Sequence, residues 1–287
     1  MMRWKCQKKH SLLDELKCKM PEASKTTLRQ MLREERVLIN NEFAKKNIDL
    51  NPGNIIELGQ KKTYETDLTI YHLDEDIVVV EKPHGLLSVA TKKEPFNTLH
   101  NKLKDLYGRV WPVQRLDKET SGVLVFALSI EAKEKLKEQF MDHAVFREYR
   151  AIVHGDIPKK GTWKHQLVED GNLKMHVTNV KGLYAETHFE VIDTKDPLSF
   201  VSFRLKTGKK NQIRVQASHM ECPILGDKKY GNLQIKCERM YLHAHKLGFK
   251  HPITGKNMSF TSSIPFEIND LFGSIRRYEK TLQRQVR

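Results

Sequence analysis

The sequence predicts an α+β protein built from two units. Three observations predict it. Short aliphatic runs at residues 77–80, 123–128 and 149–153 have the length and β-branched content of buried strands. Helical periodicities fall between such runs, as at residues 129–140 and 209–220. Residues 1–62 carry a helix and strands of their own, and Lys61-Lys62-Thr63 reads as a short polar linker to residues 63–287.

In the first unit, Ser24 is placed to cap a helix running from Lys25 to Arg36. Leu28, Met31 and Leu32 mark its apolar side, which ends at Glu35. Arg29, Arg33 and Arg36 fall at i, i+4 and i+7 and form an adjacent cationic stripe. Val37-Leu38-Ile39 follows as a strand, Asn40-Asn41 as a tight turn, Asn51-Pro52-Gly53-Asn54 as a second turn and Ile55-Ile56-Glu57-Leu58 as a second strand. Residues 1–65 hold 14 Lys/Arg against 9 Asp/Glu, a net of +5.

In the second unit the run 77–80 is a strand stopped by Pro83-His84-Gly85. Residues 123–128 form the clearest strand, and Ser129 caps a helix with Ala132, Leu136 and Phe140 inward. Residues 200–205 alternate apolar and polar, the pattern of a half-buried strand. Lys209 to Met220 suits a helix with Ile213, Ala217 and Met220 on its inner face. The last fourteen residues form a basic tail or final helix, with five Arg/Lys against one Glu.

Charge narrows the function. The 287 residues include 50 Lys/Arg and 36 Asp/Glu, so the net charge is +14, and the pI is about 9.5. Such an excess draws polyanions, nucleic acid before an anionic membrane surface. No helix combines a Trp/Phe face with a Lys face, and no apolar run approaches the roughly 20 residues of a membrane span. Hydrophobic content of 39% excludes a disordered chain. The polar, basic start Met1-Met2-Arg3-Trp4-Lys5 lacks an apolar stretch behind it and is not expected to be a signal peptide. Cys6, Cys18, Cys222 and Cys237 are scattered, as reduced thiols of a cytoplasmic protein would be, and neither they nor the histidines have metal-ligand spacing. His243 and His245 share a strand face and read as structural.

Three segments carry chemistry. Arg115-Leu116-Asp117-Lys118-Glu119-Thr120-Ser121-Gly122 is a polar loop before the clearest strand. Its Asp117, between cations, is either a catalytic carboxylate or a turn residue bonding its own backbone. Thr207-Gly208-Lys209-Lys210-Asn211-Gln212-Ile213-Arg214-Val215-Gln216 is either a phosphate-binding helix start or a solvated cationic face. The segment from Pro223 to Gly231 reads only as an ordered loop.

Taken in order, these segments resemble the RluA-type RNA pseudouridine synthases. The family pattern H-R-L-D-x-x-T-S-G stands here from Gln114 to Gly122. The strand around its tyrosine is Arg147-Glu148-Tyr149-Arg150-Ala151. T-G-R-x-H-Q-I-R-V-H stands from Thr207 to Gln216, and G-x-P-I-x-G-D-x-x-Y-G from Glu221 to Gly231. Glu81-Lys82-Pro83-His84-Gly85-Leu86 and Leu242-His243-Ala244 also fit. The first unit resembles the αL RNA-binding motif of ribosomal proteins.

The resemblance implies a catalytic domain with a central mixed, mostly antiparallel sheet, flanked by helices around a cleft. It implies isomerisation of uridine to pseudouridine with no cofactor and no metal. Asp117 matches the acid that forms a covalent adduct, at sugar or base. Arg214 matches the arginine that pairs with it, Tyr149 the tyrosine that stacks on the base and removes the C5 proton, and Arg115 the cation that fills the gap left by the flipped uridine. Lys25, Arg29, Arg33 and Arg36, with Lys209 and Lys210, are the expected RNA contacts. Large-subunit ribosomal RNA is the favoured substrate and transfer RNA the alternative, for a monomer with no obligate protein partner and no membrane association. Gln114, Asn211 and Gln216 replace histidines of the pattern, and Lys209 replaces an arginine. The lost histidines are the one support for a non-catalytic RNA-binding protein on the same fold. With Asp, Tyr and Arg retained, an active enzyme with altered substrate contacts is expected.

Overall fold

Aliphatic strands need a partner on each edge and cover on each face, and the chain meets this need twice, in separate units. The computed structural model describes residues 2–23, 25–33, 36–44, 46–59, 68–231 and 237–272. Its two units span Met1–Asp67 and Leu68–Arg287. The expected boundary at 62/63, the Ser24 cap, Glu35 and the basic C-terminal stretch lie outside the described residues. Among the described residues no helix is long and apolar enough to cross a membrane.

In the first unit, β1 (Met2–Lys5), β2 (His10–Ser11), α1 (Leu12–Lys19), α2 (Lys25–Arg33), β3 (Val37–Ile39), β4 (Glu42–Phe43), β5 (Asp49–Leu50) and β6 (Ile55–Leu58) follow in order. A four-stranded antiparallel sheet has the order β1-β6-β3-β4, and β2 pairs with β5. Asn40 and Asn41 both take left-handed backbone, φ 50 and 72, as a two-residue hairpin turn between β3 and β4 requires. Leu12 and Leu16 of α1, Leu28 and Leu32 of α2, Val37 and Ile56 form the core. Arg36 is not helical, so the expected helix to Arg36 and its cationic stripe are corrected. Arg36 is half-buried beyond the helix and its Nε donates to the Gly59 carbonyl at 3.4 Å. Arg29 is exposed on α2.

The second unit comprises β7 (Ile70–Leu73), β8 (Ile77–Lys82), α3 (Leu99–Tyr107), β9 (Trp111–Pro112), β10 (Ser121–Ala127), α4 (Ile130–Met141), β11 (Phe146–His154), β12 (Lys160–Glu169), β13 (Met175–Thr178), β14 (Leu183–Lys195), β15 (Leu198–Leu205), α5 (Gln212–His219), β16 (Leu242–Lys250), β17 (Asn257–Thr261) and α6 (Phe266–Leu271). Nine strands run β13-β12-β14-β15-β11-β16-β10-β8-β7, with β17 on β16 and β9 on β10. The fold is α+β, with the mixed, mostly antiparallel sheet that the family resemblance implies. Ser129 caps α4 as expected, accepting from the Ala132 amide at 3.1 Å.

The one parallel pairing among the described strands joins β10 to β16 through Ser121↔His243 and Gly122↔Ala244. Gly122 has φ +119, and a Cβ there would stand 2.2 Å from the Ala244 carbonyl oxygen, so only glycine permits this approach. Polar side chains stitch the joint. The Ser121 hydroxyl is 2.9 Å from His243 Nδ1 and accepts from Arg239 at 2.6 Å, and His243 Nε2 meets the Ser262 hydroxyl at 2.8 Å. His243 and His245 share a face, and both are buried.

Two expectations of this region are corrected. Residues 199–203 of β15 are all buried, because the strand lies inside the sheet and Ser202 is consumed by Arg150, whose guanidinium donates to it at 2.5 Å. α5 begins at Gln212, not Lys209, and Met220 beyond its end is 41% exposed.

Candidate active site

The loop between β9 and β10 carries Asp117, and buried polar groups fix it from both sides. The Ser88 hydroxyl donates to the Leu116 carbonyl at 2.8 Å and accepts from the Leu116 amide at 3.0 Å. Lys82, at the end of β8, is fully buried. Its ammonium donates to the carbonyls of Pro83, Leu86 and Lys118 at 2.9, 2.6 and 3.0 Å, tying the residue beside Asp117 to the turn after β8. Burial pushes Lys82 down to about 7, against the nearby charges of Asp117 and Glu119.

Arg214 projects from α5 and meets two carboxylates. Its Nη1 donates to Asp117 Oδ2 at 2.6 Å. Its Nε and Nη2 donate to Oδ2 and Oδ1 of Asp227 at 2.7 and 2.8 Å, a two-pronged grip that fixes the guanidinium plane. Asp227 is buried and also accepts from the amides of Lys229 and Tyr230. Burial opposes the Arg214 charge, but the two carboxylates outweigh it and raise its pKa further. Burial likewise raises Asp227, and the Arg214 contacts and two amides overcome this, leaving it below the usual carboxylate range.

Asn211 adds a second donor, its Nδ2 lying 2.6 Å from the same Asp117 Oδ2. Its Oδ1 accepts from the Tyr230 hydroxyl at 3.2 Å, and that hydroxyl accepts from the Met175 amide at 3.0 Å. Asn211 has φ 52, a left-handed conformation that asparagine tolerates better than most residues. Oδ2 of Asp117 is therefore fixed by two donors. Oδ1 has no hydrogen-bond partner among the described residues.

Asp117 opens onto a cleft of about 410 Å³ lined by Arg115, Tyr149, Asn211 and Arg214 among others. Tyr149 comes from β11, and burial, with a smaller push from Asp117, raises its phenol to about 12 against the charge of Arg147. Arg115 is exposed where it lines the cleft. Arg147, two residues before Tyr149, is buried, and its Nε and Nη2 have no hydrogen-bond partner among the described residues.

The structure thus brings Asp117, Tyr149, Arg214, Arg115, Lys209 and Lys210 to one cleft. Lys210 pairs with Glu169. The Lys209 amide donates to Gln212 Oε1 at 2.9 Å. Arg29 and Arg36 belong to the first unit, and the side chains of Lys25 and Arg33 lie outside the described residues. Asp227 and Tyr230 have no assigned role in the sequence beyond an ordered loop, and their place in the G-D-x-x-Y-G pattern is the signal that could find them. Of the three histidine replacements, only Asn211 touches Asp117. Gln216 is buried and accepts from Thr187 Oγ1 at 2.7 Å, while Gln114 Nε2 is buried without a partner.

Among the described residues two side-chain trios have metal-ligand chemistry, Cys6/His10/Glu15 and His72/Asp74/His251. Both are engaged in hydrogen bonds. Glu15 accepts from Trp4 Nε1 at 2.6 Å and pairs with His10, while the Cys6 thiol donates to the Lys8 carbonyl at 3.0 Å. His251 Nδ1 accepts from the amides of Ile253 and Thr254, so its proton sits on Nε2, facing Asp74, and that nitrogen is closed to an ion.

Residues 76–219 match the family model for RNA pseudouridylate synthase. An uncharacterized RNA pseudouridine synthase of Bacillus subtilis is 32% identical over 273 residues, covering 88% of this chain and 90% of that protein. The chain belongs to the RNA pseudouridylate synthase family. Ribosomal large subunit pseudouridine synthase D of Neisseria meningitidis is 31% identical over 285 residues, covering 90% of this chain and 76% of that one. The solved structure of human RNA pseudouridylate synthase domain containing 4 superposes with a TM-score of 0.58 at 25% identity, covering 72% of this chain and 92% of that chain. The enzyme is thus an RluA-type synthase, an isomerase that acts on RNA.

Proposed function

We propose that the synthase converts uridines of large-subunit ribosomal RNA to pseudouridine, with Asp117 as nucleophile on an extruded nucleoside. The half-tethered carboxylate carries this reading: Arg214 and Asn211 immobilise one oxygen and leave the other to the cleft. A nucleophile held this way loses little freedom on reaction. The Asp117 lone pair forms a C–O bond with the nucleoside, at C1′ or at C6. The N1–C1′ bond breaks and the C5–C1′ bond forms as the carboxylate departs. C5 then loses its proton and N1 gains one, so the change is redox-neutral. Arg115 takes the stacking place that the uridine vacates. The large-subunit relatives support the substrate class, and exposed Arg29 supports a phosphate-contacting role for the first unit.

Pseudouridine mapping of total RNA from cells lacking the gene tests the substrate. Loss of one or more sites in large-subunit ribosomal RNA is the expected result. Loss confined to transfer RNA overturns the ribosomal assignment.

Tyr149 is assigned the platform under the base and the route for the C5 proton. Held near 12, the phenol must part with its own proton before it can accept another. Tyr149→Phe keeps the ring, so RNA binding should persist while tritium release from 5-tritiated uridine slows about 100-fold. Release at the wild-type rate would reduce Tyr149 to a stacking surface.

A further inference from the structure

Around Tyr230 the chain gathers four cationic side chains, and two of them lack an ion-pair partner among the described residues. Arg214, Lys174 and Lys229 lie 5.3, 5.4 and 5.5 Å from the ring centroid. Lys210 and Lys229 both donate to one oxygen, the Leu173 carbonyl, at 3.0 and 2.9 Å, so two ammonium groups stand side by side. Arg214 is matched by Asp117 and Asp227, and Lys210 by Glu169. Among the described residues, Lys174 and Lys229 have no carboxylate within ion-pair distance. A carbonyl and a ring face are modest substitutes for a counterion. Burial first, then the charges of Lys210 and Arg214, hold the Lys229 ammonium below its ordinary value.

The turn beneath these lysines is built to present that carbonyl. Leu173 sits at φ 60, uncommon for a branched residue. Asp170 Oδ1 accepts from the amides of Asn172 and Lys174, both at 2.9 Å, and its other oxygen holds His176 at 2.7 Å. The turn therefore fixes Lys174 and the Leu173 carbonyl together beside the loop of Lys229.

We propose that Lys174, Lys210 and Lys229 form a clamp for a phosphodiester of the RNA strand, beside the nucleotide whose base enters the cleft. The proposal rests on reading Asp117 as the centre of a uridine isomerase. Lys210 lines the same cleft as Asp117, and its neighbour Asn211 touches that acid. A phosphodiester offers unshared oxygens that several ammonium groups can reach at once, and lysine binds it as a point charge. Such a contact holds the backbone where a flipped nucleotide strains it and reads no sequence.

The test is the double variant Lys174→Ala/Lys229→Ala, assayed on a large-subunit ribosomal RNA transcript carrying 5-tritiated uridine. Both side chains reach the surface, so the melting temperature should hold. KM should rise about tenfold more than kcat falls, and the slope of log affinity against log salt should lessen by about 1 to 2. Lys174→Arg/Lys229→Arg should restore both. Lys135→Ala, on the exposed face of α4, is the charge control and should leave the slope unchanged. An unchanged slope and KM in the double variant would overturn the clamp while leaving the isomerase intact. If the wild-type protein released no tritium, the isomerase reading would fall instead, and the salt series on RNA binding would still decide whether the lysines hold phosphate.

Discussion

Asp117→Asn should release no measurable tritium from 5-tritiated uridine in RNA, a loss of at least about a thousandfold. The substitution keeps the shape and can still accept a hydrogen bond from Arg214, but it removes the charge and the nucleophilic lone pair. RNA binding should survive, since the cationic groups lining the cleft are untouched. Melting temperature separates a catalytic acid from a structural one. Asp117 is partly exposed and Asp227 still grips Arg214 in the variant, so little stability should be lost. Wild-type turnover in Asp117→Asn would remove the mechanism. A collapse in melting temperature of the kind expected on removing buried Asp227 would make Asp117 a structural residue.

The second large effect concerns acid. Burial, helped by neighbouring cationic groups, lowers His243 to about 3 and His245 to about 4, from 6.5 in the unfolded chain. The unfolded chain therefore takes up protons below pH 6.5 that the folded chain refuses. The stability these neutral imidazoles contribute is complete above pH 6.5 and declines as pH falls towards 4, by roughly 1.4 kcal/mol per pH unit for each histidine at most. Urea unfolding at pH 7.5, 5.5 and 4.5 should show a loss on the order of a few kcal/mol in the wild type. His243→Gln can still bond Ser121 or Ser262 and should flatten the pH dependence. Parallel pH profiles for the two proteins would show that the acid sensitivity arises elsewhere.

How much of this was legible in the sequence depends on the reach of each interaction. Asp117, Tyr149 and Arg214 stood in recognisable linear patterns, and one cleft contains all three. The strands at 77–80 and 123–128 and the Ser129 cap were legible because they depend on local burial and local hydrogen bonds. The grip of Asp227 on Arg214 was not, because it joins a loop to a helix through tertiary packing. Asn211 read as a missing histidine, whereas in space it is the second donor to Asp117. Periodicity carried the two helices too far, to Arg36 in one case and back to Lys209 in the other. It does not register where a chain turns left-handed, as at Asn211. Alternation in residues 200–205 misled for a related reason, since a buried serine bonded to an arginine looks the same in sequence as a solvated one.

Two carboxylates share one guanidinium at the heart of the cleft, so the trio holds a single surplus negative charge at rest. In the proposed mechanism Asp117 becomes an ester, and the trio is then neutral. If the bond forms at the sugar, uracil is cut loose as an anion at that same moment, beside a trio that no longer carries charge of the same sign. When C5 displaces the ester the negative charge passes from the base back to Asp117, where Arg214 and Asn211 again receive it.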